Sequence, residues 1–141
     1  MAKKYWLMKN EPADYGWDHL VADGQAEWDG VRNYQARNNI EAMRKGHLAL
    51  FYHSGKEKQV VGVMRVVSDP YLDPTDEDDE WLCVDVEPEF RLKQPVTLAQ
   101  IKQEEALQDI LLIKQSRLSV MPLDKEAFAR ILDMGGVKNV P

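Results

Sequence analysis

One cysteine in 141 residues excludes a disulfide framework within the chain. Cys83 falls in the alternating run Leu82 to Glu87 and reads as a packed thiol in a reduced, intracellular setting. Long apolar runs are scarce at the start as well. Tyr5 to Met8 is far too short for a signal-peptide core or a membrane span, so a cytoplasmic protein with no membrane partner is expected. Enzyme signatures are missing too: no GxxxxGK followed by Ser or Thr, no HExxH, no paired CxxC and no GxSxG. The acidic run Asp76 to Glu80 lacks the spacing and the glycine of a calcium loop, so it reads as solvated, and neither metal nor cofactor is expected.

What the chain does have is 44% hydrophobic residues, enough for the core of one ordinary domain over 1–141, with 137–141 expected as a loose tail. Net charge is −6, which argues against a grip on nucleic acid by bulk charge. The charges are segregated, however. Residues 32 to 67 carry seven Lys or Arg against two acids, and residues 68 to 90 carry ten acids and no Lys or Arg. Such a chain can present a basic face, provided that the acidic segment projects elsewhere; two merely solvated surfaces are the other reading.

The hydrophobic pattern predicts a strand over 4–9, stopped by Pro12, and a short helix over 14–21 with Trp17, Leu20 and Val21 inward. A second helix over 34–45 follows, capped by Asn33, with Ala36, Ile40 and Met43 on one stripe and Gly46 as its stop. Residues 47–53 and 59–67 read as central strands around a turn at Gly55, residues 68–80 as loop, and 82–87 as a half-buried strand, with Pro88 and Pro95 bracketing an edge segment. A capping box at Thr97 to Gln100 opens a third helix, 103–107 continues or re-forms it, and 116–121 is extended. Asp124 caps a last helix bearing Phe128, Ile131 and Leu132, ended by Gly135 and Gly136. Five or six short strands with peripheral helices give a mixed α+β domain around a strongly bent sheet or small barrel.

Chemistry concentrates between Trp28 and Asn39. Trp28 and Tyr34 offer π faces, Arg32 and Arg37 planar forks, and Asn33, Gln35 and Asn38 paired donors and acceptors. Trp28 reads equally as ligand-facing or as packing, whereas Trp6, Trp17 and Trp81 read as core. Gln115 to Ser119 is a second polar island, either a site or the start of a strand. His53 and Ser54 are the nearest approach to a nucleophile pair, but neighbours on a strand face opposite ways, so His53 does not reach Ser54 unless the strand ends between them.

The ordered segments YWLMKNEP (5–12), WDGVRNYQARNN (28–39), LFYHSG (50–55), VVGVMRVV (60–67), YLDPTD (71–76), PVTLAQIK (95–102) and RLSVMPL (117–123) resemble the EVE domain family over nearly the full length. The resemblance implies a PUA-like, strongly bent mixed β-sheet or pseudo-barrel of five to six strands surrounded by short helices, without a catalytic centre. It also implies a partly aromatic pocket for a flipped-out modified base, such as a methylated or hydroxymethylated cytosine or a methylated adenine, in DNA or RNA. By matching motif the pocket would draw on Lys9, Glu11, Trp28, Arg32, Asn33, Tyr52, His53, Ser54, Ser116, Arg117 and Ser119. Arg32, Arg37 and Lys56 are the candidates for phosphate contacts, and a monomer is expected. The family often has serine where this chain has Asn10, and the stretch after Ser54 is short. A small nucleic-acid-processing enzyme, or an adaptor for a free nucleoside or small anion, are the alternative readings.

Overall fold

A computed structural model describes residues 4–138. Its frame is a curled six-stranded sheet in the order β2-β7-β4-β3-β1-β8, with β1 at Tyr5–Asn10, β2 at Ala26–Glu27, β3 at Leu48–His53, β4 at Gln59–Val66, β7 at Asp85–Thr97 and β8 at Val120–Leu123. A separate two-stranded ribbon pairs β5, Tyr71–Leu72, with β6, Leu82–Cys83. The helices are α1 (Pro12–Tyr15), α2 (Trp17–Asp23), α3 (Tyr34–Glu41), α4 (Leu98–Gln103), α5 (Leu111–Lys114) and α6 (Lys125–Met134), with a single 3-10 turn at Glu105–Leu107. The α+β class and bent sheet expected from the sequence are what the structure shows.

One parallel pairing places the polar residues. β1 and β3 run parallel, Lys9 beside Tyr52 and Asn10 beside His53, so both strands end at the same edge of the molecule. β8 runs antiparallel to β1 and begins there, and the Lys9 N–H donates to the Ser119 carbonyl at 2.8 Å. Three sequence-distant polar segments therefore meet at one end of the sheet. β3 is buried along its whole length, and Tyr5 to Met8 of β1 are buried as well, because helices and the curl of the sheet cover both faces.

Phe51 is the hub of the core beneath that end. The rings of Trp17, Trp28 and His53 meet it edge-on, with centroids at 5.9, 5.2 and 5.4 Å, the geometry that ring quadrupoles favour. Gly62 makes room for this packing, since a Cβ there would lie 2.5 Å from the Trp17 ring.

Several elements depart from the sequence reading for identifiable reasons. The long β7 runs straight through Pro88 and Pro95, because register shifts against β4 absorb both prolines and, beyond Val86, β2 no longer pairs with its other edge. Ser68 to Glu80 is not all loop, since Tyr71 and Leu72 pair with β6. The helix that starts at Trp17 leaves Val21 exposed, and α3 stops at Glu41 with Met43 buried just beyond it. Val137 donates to the Leu132 carbonyl and packs against the core; 139–141 of the expected tail lie outside the described residues. Among the described residues no helix is long and apolar enough to cross a membrane.

Candidate functional site

The strand ends border two cavities that share a rim. The first, of about 520 Å³, lies between Lys9 and Asn10 of β1, Ser119, the Tyr15–Asp23 side of the helical hairpin and the loop from Trp28 to Arg32. The second, of about 630 Å³, opens on the other side of the same rim, between Glu11, Tyr52, Ser54, Lys58, Lys102, Ser116 and Arg117. Lys9, Asn10 and Ser119 line both. A shallower recess of about 320 Å³ gathers Asn33, Ser116 and Arg117. The two larger volumes fall within the range of about 300 to 1,000 Å³ usual for ligand sites.

Lys9 joins the parts. Its ammonium donates to the Ser116 carbonyl at 2.8 Å and stands over the Tyr52 ring, 5.5 Å from the centroid. Burial lowers the Lys9 pKa from its ordinary value and pushes the Tyr52 hydroxyl up to about 12. Asn10 turns its side-chain carbonyl to the Glu11 N–H at 3.1 Å. Gly55 must be glycine in the turn beside them: its φ is +74°, and a Cβ would lie 2.0 Å from the Glu11 carboxylate.

Trp28 is only 6% exposed, so it forms the floor of the first cavity rather than a free stacking platform. The loop after it is held by Asp73, which is 2% exposed. Asp73 accepts from the Gly30 N–H at 2.7 Å, the Thr75 N–H at 2.7 Å, the Thr75 hydroxyl at 2.6 Å and the Arg32 guanidinium at 3.1 Å. Burial pushes this carboxyl up, but the bonds from Thr75, Gly30 and Arg32 outweigh burial and hold it at about 2. Arg32 also donates to the Thr75 hydroxyl and stands 5.7 Å from the centroid of the Trp81 ring.

The acidic segment thus folds back onto the basic one, against the condition set by the sequence reading. Arg37 donates to the Glu80 carbonyl at 2.6 Å, the Tyr34 hydroxyl donates to the Glu80 carboxylate, and Arg65 pairs with Glu87. Trp81 is half-buried and packs on Tyr34 at 4.8 Å, outside the core where it was expected. The amides are spoken for in part. Asn33 caps α3 through the Ala36 N–H, Asn38 accepts from Arg37, and Asn39 pins the helix to the Val120 carbonyl at 2.8 Å.

His53 is buried, with both ring nitrogens engaged. Nε2 accepts the Trp17 N–H at 3.0 Å, which puts the ring proton on Nδ1, 2.9 Å from the Glu57 carboxylate. No ring nitrogen is left to draw a proton from Ser54. His53→Ala is expected to lower the unfolding free energy by about 1 to 3 kcal/mol, because it orphans a buried N–H at the start of α2. Urea titration checks this, and an unchanged midpoint would contradict it.

Of the residues named from the sequence, Lys9, Trp28, Arg32 and Ser119 line the first cavity, and Lys9, Glu11, Tyr52, Ser54, Ser116, Arg117 and Ser119 the second. Asn33 meets Ser116 and Arg117 only in the recess. His53, Arg37 and Lys56 line none of the three. The sequence reading missed Tyr15, Asp23, Glu27 and Asp29 around the first cavity and Lys58 and Lys102 around the second. Glu27 and Asp29 flank Trp28, Lys58 is one of the seven cations of 32–67 and Lys102 lies near the end of a well-capped helix, whereas Tyr15 and Asp23 carried no signal.

A curled half-barrel of mixed strands, with polar cavities where β1 and β3 end, defines a PUA-like domain. The chain belongs to the EVE domain family, whose model matches residues 4–134. It is 34% identical to human thymocyte nuclear protein 1 over 164 residues, covering 92% of this chain and 73% of that protein. Among solved structures it is similar to a protein from Agrobacterium tumefaciens, at 41% identity and a TM-score of 0.95, covering 98% of this chain and 97% of that one. It is also similar to human THYN1 protein in complex with DNA containing 5-methylcytosine, at 32% identity and a TM-score of 0.88, covering 99% and 100%.

Proposed function

We propose that this protein is a non-enzymatic reader of modified bases in DNA, with a methylated cytosine as the first candidate. The observation that carries the reading is the likeness, along the whole chain, to human THYN1 captured with 5-methylcytosine DNA, combined with a cavity of base-accepting size at the strand ends. The walls of that cavity suit the task. Asp23, Glu27 and Asp29 are acceptors, and a cytosine presents an exocyclic amino donor; Ser119 and Asn10 add groups that both donate and accept. Extruding a paired base costs a few kcal/mol, so a base already unpaired or distorted binds at lower cost. The site residues proposed for base contact are Lys9, Asn10, Trp28 and Ser119; Glu11, Tyr52, Ser54, Ser116 and Arg117 line the adjoining cavity.

The test is binding to matched oligonucleotides, as single and double strands, with and without 5-methylcytosine, hydroxymethylcytosine or methyladenine. Tighter binding to one modification is expected. If none improves affinity by about threefold, roughly 0.6 kcal/mol, the reading is wrong.

A further inference from the structure

The two large cavities carry opposite charge, although they share a rim. Around the first, Asp23, Glu27 and Asp29 face Lys9 and an Arg32 whose guanidinium is already bound to Asp73. Around the second, Lys9, Lys58, Lys102 and Arg117 face the single carboxylate of Glu11. These last cations are available. Among the described residues Lys58, Lys102 and Arg117 have no carboxylate within ion-pairing distance, while Arg32, Arg37, Arg65, Arg91 and Arg130 are all paired.

The backbone positions Lys58 by a specific device. It adopts a left-handed conformation, φ 48°, rare outside glycine, and its carbonyl accepts the Leu98 N–H at 2.8 Å. The β3–β4 turn is thereby tied to the start of α4, which carries Lys102 on the same cavity. Arg117 enters from the loop before β8, whose Ser116 carbonyl is held by Lys9. Three separate segments deliver unpaired cations to one hollow, and their cost in mutual repulsion is relieved when an anion enters.

We infer that the cavity of Lys58, Lys102 and Arg117 is the phosphate-binding half of a two-part site, seating the DNA backbone beside the extruded nucleotide while the acid-lined cavity takes the base. This rests on the reader function proposed above and assigns the backbone contacts within it. A base and its own phosphates are joined through one sugar, so the two halves must adjoin, and Lys9, Asn10 and Ser119 are where they do. Phosphate contacts position without reading sequence, and base contacts discriminate, so the two halves have separable signatures.

The experiment is a salt series of binding to methylated and unmethylated oligonucleotides by the intact protein and two triple variants. One is Lys58→Gln, Lys102→Gln and Arg117→Gln; the other, Lys45→Gln, Lys93→Gln and Lys125→Gln, removes the same charge from exposed positions elsewhere. The first variant is expected to flatten the slope of log affinity against log salt by about 2 to 3, near 0.9 per lost phosphate contact, while keeping the ratio of methylated to unmethylated affinity within about twofold. The control is expected to change the slope by less than about 1. Equal slope changes in the two variants would overturn the assignment, and so would a methylation ratio that collapses with the slope. DNA bound without regard to methylation would overturn the reader function and leave the phosphate assignment standing on its slope. No binding of any DNA would overturn both.

Discussion

Asp73→Ala is expected to lower the unfolding free energy by about 3 kcal/mol, because it takes the acceptor from the Gly30 and Thr75 N–H groups and the partner from a partly exposed Arg32. The carboxylate is the common acceptor of Gly30 N–H, Thr75 N–H, the Thr75 hydroxyl and Arg32, and no second acceptor replaces it. Its loss frees both the acidic loop and the Trp28–Arg32 wall of the first cavity, so affinity for a methylated oligonucleotide should fall with stability. Acid removes part of the same contribution without mutation. The Asp73 pKa is held down from an ordinary 3.8 to about 2, so its contribution of about 2 kcal/mol is complete above pH 4 and is lost as pH falls towards 2. Urea midpoints across pH 2 to 7 check this: the gap between wild type and Asp73→Ala must narrow by about 2 kcal/mol towards the acid end, and a gap independent of pH would contradict the carboxylate's role.

Asp73 also shows where sequence stopped being informative. As one of seven acids in the segment 68–80, read as loop, it looked like solvated charge, and nothing local marks it as the residue on which Arg32 closes. The frame was readable because periodicity reports burial: β3, the capped α4 and the Phe128–Ile131–Leu132 stripe of α6 each carry their own signature. Pairing partners were not, and it is the parallel register of β1 with β3 that brings Lys9 to Tyr52. Motif resemblance supplied nine of the residues around the two cavities but not their separation into two hollows of opposite charge. Lys58 and Lys102 stand in separate polar stretches of the sequence and meet because the Lys58 carbonyl holds the start of α4.

Trp28 is the residue at which stability and recognition are most closely joined. Trp28→Ala is expected to cost about 3 to 5 kcal/mol, since the side chain is buried against Phe51 and its removal opens a cavity beneath the proposed base site. Loss of base preference in that variant would therefore say little by itself, because the floor and the fold fail together. Trp28→Phe separates the two: it retains an edge-on contact with Phe51 at a smaller stability cost but narrows the floor presented to a base. The expected result is a folded protein, by its urea midpoint, with non-specific DNA affinity and salt slope retained and the advantage of the modified oligonucleotide reduced at least about threefold. A Trp28→Phe protein that keeps the full preference would show that the base lies against another wall, and the acid side of Asp23, Glu27 and Asp29 would then be the surface to alter next.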